Sequence, residues 1–242
     1  MNKILTISHI QKNFKNLSVI KDISFDLKSG EILSIVGTSG CGKSTLLNII
    51  SSLETQTSGT YTYQKKKPTI GYMLQSDSLF PWLTIYENAC LGLKIQNKKN
   101  DILINKLLKN CHLENFKDKY PNELSGGMKQ RVALIRTLAI EPDILLLDEP
   151  FSALDYQTKL TMEEDLYKMI KEKNIATILV THDIAEAIAI SDRVLVLSKR
   201  PCTIKKEYDI ILEKKTTPIQ NRQDKNFLNY HTLIWKDLDN HG

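Results

Sequence analysis

The chain contains no run of about eighteen or more apolar residues, the length a helix needs to cross a bilayer, so no segment is expected to span a membrane. Cysteine is scarce as well. Cys41, Cys90, Cys111 and Cys202 show none of the paired spacing of a metal site, which fits reduced thiols in cytosol. Residues 1–10 lack the continuous apolar stretch of a secretory signal; Met1–Ile10 alternates polar with apolar and reads as an edge strand. No long heptad pattern is present, which excludes an extended coiled coil. The net charge of +5 suits a surface near anionic lipid but is too small to argue for a nucleic-acid partner. With 242 residues, 41% of them hydrophobic, the chain can bury a full core and is expected to form one domain, 1–242, with two lobes.

Against these absences stands one dense motif. The apolar, β-branched run Ile32–Val36 leads into Gly37-Thr38-Ser39-Gly40-Cys41-Gly42-Lys43-Ser44-Thr45, which opens the apolar run Leu46–Ile50. That is strand, glycine-rich loop, helix: the phosphate cradle of a P-loop NTPase. The glycines let the backbone turn tightly with its N–H groups inward, at a helix N-terminus whose partial positive charge favours an anion. Lys43 can then reach the β- and γ-phosphates, and the Ser44 hydroxyl can ligate Mg2+. Cys41 lies near Lys43 and the helix start, both of which lower a thiol pKa. It is therefore either the most reactive of the four cysteines or an inert, packed thiol.

A second pair of glycines follows Ser125 in Leu124-Ser125-Gly126-Gly127-Met128-Lys129-Gln130-Arg131, at the start of a helix continuing through Val132–Ala139. One chain rarely offers two such cradles to one nucleotide, so Ser125, Gly126 and Gly127 are expected to serve the ATP of a partner molecule. Two wholly apolar strands end in polar tips: Ile144–Leu147 in Asp148-Glu149, and Ile178–Val180 in Thr181-His182-Asp183. Strands of this kind are buried on both faces of a parallel sheet, with functional residues at their carboxyl ends. His182 is thereby placed at the same edge as Asp148 and Lys43, before a helix beginning at Asp183 or Ile184. His9, His112, His231 and His241 carry no such context. Residues 1–75 and 143–242 form the core lobe, and 76–142, with helical patterns at Ile102–Leu108 and Gly127–Ala139, an inserted helical lobe. Lys65-Lys66-Lys67 reads as a solvated turn. In the tail, Phe227, Tyr230, Ile234 and Leu238 recur at helical spacing.

In this order the motifs resemble the ATP-binding cassette family, whose signature LSGGxxQ reads LSGGMKQ here. The resemblance covers essentially the whole chain. It implies an α/β P-loop NTPase core with a mixed, largely parallel sheet, an N-terminal antiparallel β region and an inserted α-helical subdomain. It implies ATP and Mg2+ as ligands, with Asp148 as the Walker B aspartate, Glu149 as general base, and His182 ordering the water and touching the γ-phosphate. Gln75, after Gly71-Tyr72-Met73-Leu74, matches the Q-loop glutamine, which reaches Mg2+ or the attacking water and hinges the two lobes. Phe14 falls where an aromatic stacks on adenine, although its context alone equally allows a core position. Ser152-Ala153-Leu154-Asp155 resembles the SALD loop, so Asp155 and Gln130 join the signature residues as nucleotide contacts.

Leu79-Phe80-Pro81-Trp82-Leu83-Thr84, Glu87-Asn88, Leu91-Gly92-Leu93, Arg200-Pro201 and Ile234–Leu238 resemble the ATPase subunits of importers for nitrate, sulfonates, taurine and thiamine precursors. Those subunits lack a C-terminal regulatory domain. The expected assembly is a homodimer of cassettes, head to tail, on the cytoplasmic face of the cell membrane. It would bind integral membrane permease subunits and serve an extracytoplasmic solute-binding protein indirectly, with no nucleic acid involved. Phe80 and Trp82 are expected to line a docking groove for the permease. An exporter subunit, or a soluble ABC ATPase without a transport role, remains the alternative. One departure is the short segment between Tyr61 and Ile70, which lacks the family's glycine turn and leaves the edge of the N-terminal sheet open.

Overall fold

A computed structural model describes residues 2–213 and 215–239; Met1 and His241 lie outside them. Among the described residues nine strands form one mixed sheet. β1 (Lys3–Phe14) and β2 (Leu17–Lys28) form a long antiparallel hairpin, closed at Phe14↔Leu17 by a two-residue turn in which Lys15 has φ 50°. Positive φ at that position is what a tight hairpin turn demands. β3 is Ile32–Val36, β4 Ser58–Tyr63, β5 Ile70–Met73, β6 Ile144–Asp148, β7 Ala176–Thr181, β8 Arg193–Leu197 and β9 Cys202–Asp209. The spatial order is β4-β1-β2-β9-β8-β3-β7-β6-β5.

The parallel block β8-β3-β7-β6-β5 consists, β5 apart, of strands buried along their whole length. Helices cover both faces of it, which is why these segments read as continuous apolar runs rather than alternating ones. On one face α1 (Lys43–Ile50) buries Leu46, Leu47, Ile49 and Ile50 against β3, β6 and β7. On the other, α5 (Tyr156–Lys173) contributes Met162, Leu166 and Ile170 to a core shared with the three α-helices found between β5 and β6 among the described residues. These are α2 (Ile85–Ile95), α3 (Asp101–Asn110) and α4 (Gly126–Ala139). α6 (Ile184–Ile190) and a short α7 (Pro218–Asn221) precede α8 (Phe227–Asp239). The helical spacing of the tail is realised in α8: Ile234 is fully buried, and Phe227, Tyr230 and Leu238 pack around it on α6 and β8.

The N-terminal strand departs from expectation. β1 is not an edge strand: β2 pairs with one side of it and β4 with the other, through Leu5↔Tyr63 to Gln11↔Ser58. Alternation reported correctly that one face is buried, but period-two patterning says nothing about how many neighbours a strand has. The outermost strand is β4. The short segment after it runs directly to β5 at the opposite edge, where Asp143 accepts hydrogen bonds from Thr69 N–H and Lys65 Nζ.

Candidate nucleotide site

β3, β6 and β7 run parallel and end in step, with Val36 opposite Thr181 and Asp148 opposite Val180. The loops after all three therefore emerge at one sheet edge, the usual ligand-binding edge of an open α/β sheet. Gly40 (φ 72°) and Gly42 (φ 129°) turn the first of these loops through backbone conformations that L side chains rarely adopt, and Gly42 caps α1. Lys43 Nζ is buried beneath the loop, donating to Gly37 O at 2.8 Å and Thr38 O at 3.0 Å. Ser44 is exposed at the first turn, and its hydroxyl bonds to the buried Asp148 carboxyl. Burial holds that carboxyl above the usual range, and the adjoining Glu149 raises it further, against the opposing pull of Ser44 and Lys43. A hydroxyl and a carboxylate are hard oxygen donors. Among the described residues no group of three or more His, Cys, Asp or Glu side chains is placed to hold a metal ion. So sparse a donor set suits Mg2+, which takes one or two protein ligands and completes its shell with phosphate and water.

Glu149 sits one residue beyond β6 in left-handed backbone, φ 52°, with its N–H bonded to Val180 O at 2.9 Å. Such strain in a non-glycine residue persists only where its surroundings impose it. The carboxylate is aimed between two neighbours: Gln75 Nε2 lies 3.3 Å from Oε2 and His182 Nδ1 3.3 Å from Oε1. Asp183, the cap of α6, fixes the chain just after His182. A cleft of about 330 Å³ joins Ser39, Gly40, Gly42, Lys43, Ser44, Thr45, Gln75 and Glu149 to Phe14 on the β1–β2 hairpin. Phe14 is 41% exposed and lines this cleft, so the core alternative for it is excluded. The cleft also takes in Leu17, Val19 and Arg200, none of which the sequence reading assigned to it. For the first two the available signal was the hairpin turn, which returns Leu17 beside Phe14.

Of the other expected residues, Gly37, Thr38, Cys41, Asp148 and His182 adjoin the cleft without lining it, whereas Ser125, Gly126, Gly127 and Asp155 belong to the starts of α4 and α5. Ser125 caps α4, its Oγ accepting from Met128 N–H at 3.3 Å, and Ser125 and Gly126 are exposed. Neither they nor Gly127 line the cleft that holds Lys43. At Gly127 an added Cβ would come within 2.7 Å of Leu154 Cδ2, so the absence of a side chain lets α4 approach the 152–155 loop. Asp155 caps α5, Oδ1 accepting Thr158 N–H at 3.0 Å; the Thr158 side chain first, and that N–H second, hold its carboxyl below the usual range.

Gln130 and Cys41 are both held inside the chain. Gln130 is buried: Nε2 donates to Glu149 O at 3.0 Å and Ser152 Oγ at 3.3 Å, while Oε1 accepts Ala153 N–H at 3.1 Å. Both ends of its amide are engaged within the chain. It is a strut between α4 and the Glu149 backbone, not a group presented to a ligand. Cys41 is 1% exposed, with Sγ packed beneath the loop. Burial pushes its thiol up, outweighing the Lys43 charge, so of the two alternatives the inert, packed thiol holds.

The segment after Gln75 forms a separate surface. Asn88, fully buried on α2, accepts Phe80 N–H and donates to Phe80 O, Leu83 O and Thr84 O. A Thr84–Glu87 capping box fixes the start of the helix. So braced, the loop holds Phe80 and Trp82 outward, ring centroids 5.1 Å apart, with Trp82 68% exposed. Asn88 had no sequence signal of its own beyond its place in the resemblance.

Comparison with known proteins gives the same picture. Residues 20–152 match the ABC transporter family. The nitrate import ATP-binding protein NrtD of Synechocystis is 43% identical over 84% of this chain and 79% of its own. The aliphatic sulfonates import ATP-binding protein SsuB 1 of Shouchella clausii is 41% identical over 87% and 83%. Among solved structures, the bacterial ABC transporter cassette MJ0796, determined as a dimer, superposes with a TM-score of 0.79. It shares 31% identity, over 86% of this chain and 99% of that one, and the same likeness holds for its post-hydrolysis state bound to ADP and Pi.

Proposed function

This chain belongs to the ABC transporter family as an ATP-hydrolysing, ATP-binding subunit, and from that premise we propose that it energises an importer of a small solute of the nitrate, sulfonate, taurine or thiamine-precursor kind. The carrying observation is the meeting of Lys43, Gln75, Glu149 and Phe14 in one cleft, in a chain whose relatives at 41–43% identity bear importer names.

In this reading Phe14 stacks on adenine, and the Gly37–Thr45 loop wraps the phosphates with Lys43 turned toward the γ-phosphoryl group. Ser44 and Asp148, with Gln75 beside them, would hold Mg2+, which supplies neutralising charge to the phosphates when bound. Glu149 accepts the proton of the attacking water. Gln75 and His182, each 3.3 Å from its carboxylate, orient it and hold that water in line. Asp155 and the Ser125–Gly127 cradle meet the nucleotide of a second copy, so two chains arranged head to tail enclose two ATP molecules. Residues 76–142 move as the helical subdomain against the core of 1–75 and 143–242, with Gln75 at the hinge.

Among the described residues no helix is long and apolar enough to cross a membrane. Association with the cytoplasmic face is therefore assigned to separate permease subunits, which receive solute from an extracytoplasmic binding protein. The exposed Phe80 and Trp82 would line the groove that takes the permease. Trp82→Ala tests this. It should abolish assembly and transport while the isolated subunit melts within a few degrees of wild type, because an exposed ring lacks the roughly 3–5 kcal/mol of a buried one. A mutant that unfolds unaided, or one that still transports, overturns the docking assignment.

A further inference from the structure

We infer that Lys12 is a positioning residue for the nucleotide base, holding the Phe14 ring from behind so that its free face is presented to adenine. The inference rests on the reading of Phe14 given above. Lys12 and Phe14 are two residues apart on β1 and so share a face of the strand. Lys12 Nζ lies 4.5 Å from the centroid of the Phe14 ring, within cation–π distance. The ammonium is itself held: it donates to Glu54 Oε1 at 2.7 Å and to Thr55 O at 2.6 Å, and the residue is 8% exposed. Phe14 lines the cleft and Lys12 does not; on this inference the cation lies on the side of the ring away from the ligand.

The anchor of that cation is informative. Glu54 follows α1, and its backbone N–H, like that of Leu53, bonds to Asn48 O within that helix. Glu54 Oε1 also accepts Thr55 N–H at 3.0 Å, and Lys12 above all holds this carboxyl below the usual range. The helix that opens with Lys43 therefore braces, near its other end, the lysine beneath the base platform. Phosphate loop and base platform are registered to each other through one rigid element, although they lie on different strands. An exposed phenylalanine beside a hairpin turn would otherwise exchange rotamers freely, and its ordering would count against binding.

The test is a double-mutant cycle on the full chain, with binding of ATP and of inorganic tripolyphosphate measured by calorimetry. Lys12→Met should weaken ATP about fivefold, the scale of a partly shielded cation–π contact. It should leave tripolyphosphate unchanged, and it should have no further effect in a Phe14→Leu background. If Phe14→Leu weakens ATP but Lys12→Met does not, the positioning role is wrong and the stacking role survives. If Phe14→Leu leaves ATP affinity unchanged, the stacking role fails and the positioning role with it. Equal losses for ATP and tripolyphosphate, or an undiminished Lys12→Met effect in the Phe14→Leu chain, would make Lys12 a structural brace only and overturn the inference.

Discussion

Two helices of this protein begin at glycine-rich loops, and the two beginnings differ in completeness. α1 opens inside a cleft where Lys43, Gln75 and Glu149 meet, with Asp148 bonded to Ser44 and His182 beside Glu149. α4 opens at Ser125 and Gly126 on the surface, away from that cleft. In backbone terms both are helix N-termini with unpaired N–H groups and the same affinity for an anion. What separates them is the company kept: one has acids, a lysine and an exposed aromatic ring supplied by its own chain, the other only an exposed serine and glycine. On the proposed reading each chain holds one nearly complete half-site and one bare half-site, and function depends on joining unlike halves of two chains; the related cassette MJ0796 was determined as a dimer.

The sharpest probe of this contrast is Glu149→Gln. Turnover should fall about a hundredfold or more, the contribution of a positioned base, with ATP binding retained. The unhydrolysed ATP should then hold two chains together in gel filtration. Near wild-type turnover would remove Glu149 from its role.

The bare half-site can be damaged without touching the fold. At Gly126 an added Cβ would meet only Ala153 Cβ, at 4.0 Å, so Gly126→Asp has room and adds a charge that repels phosphate. Hydrolysis should fall roughly thirtyfold, while a single chain binds ATP as before. Mixing Gly126→Asp chains with Lys43→Ala chains should restore activity, since one composite site of each mixed dimer is intact. No recovery would mean that each signature serves the P-loop of its own chain.

Gln130→Ala tests the strut between the two regions. Losing it leaves Glu149 O and Ala153 N–H without this partner, so the unfolding free energy should drop by about 1–2 kcal/mol. Turnover should fall about tenfold through Glu149, with the KM for ATP little changed. A variant that loses ATP affinity and nothing else would return Gln130 to the ligand.

The smallest effect concerns Cys41. Burial raises the thiols of both Cys41 and Cys90, so access separates them: Cys41 is 1% exposed and Cys90 half-buried, and alkylation of the native chain at pH 8 should be slower at Cys41. Mass spectrometry of tryptic peptides decides it. Faster labelling of Cys41 would show the loop to be far more open than its packing suggests.

The local chemistry of the cleft is written in the sequence, because each piece is a short segment with its own physics. Residues 32–50 dictate strand, tight turn and helix by residue type alone, and Asp148-Glu149 and His182 follow apolar strands that can only be central. Helices α3, α4 and α8 were legible from periodicity for the same reason. Tertiary packing decided what depends on partners distant in the chain. Whether β1 lies at an edge depends on β4, some fifty residues later. The state of Cys41 depends on the packing that buries it beneath the loop, which overcomes a nearby lysine charge visible in the sequence. The role of Gln130 depends on a backbone carbonyl nineteen residues away, and the bracing of Phe14 on a glutamate brought to Lys12 by α1. Periodicity and motif spacing report which way a side chain leaves its own element; only the packed chain determines what it meets there.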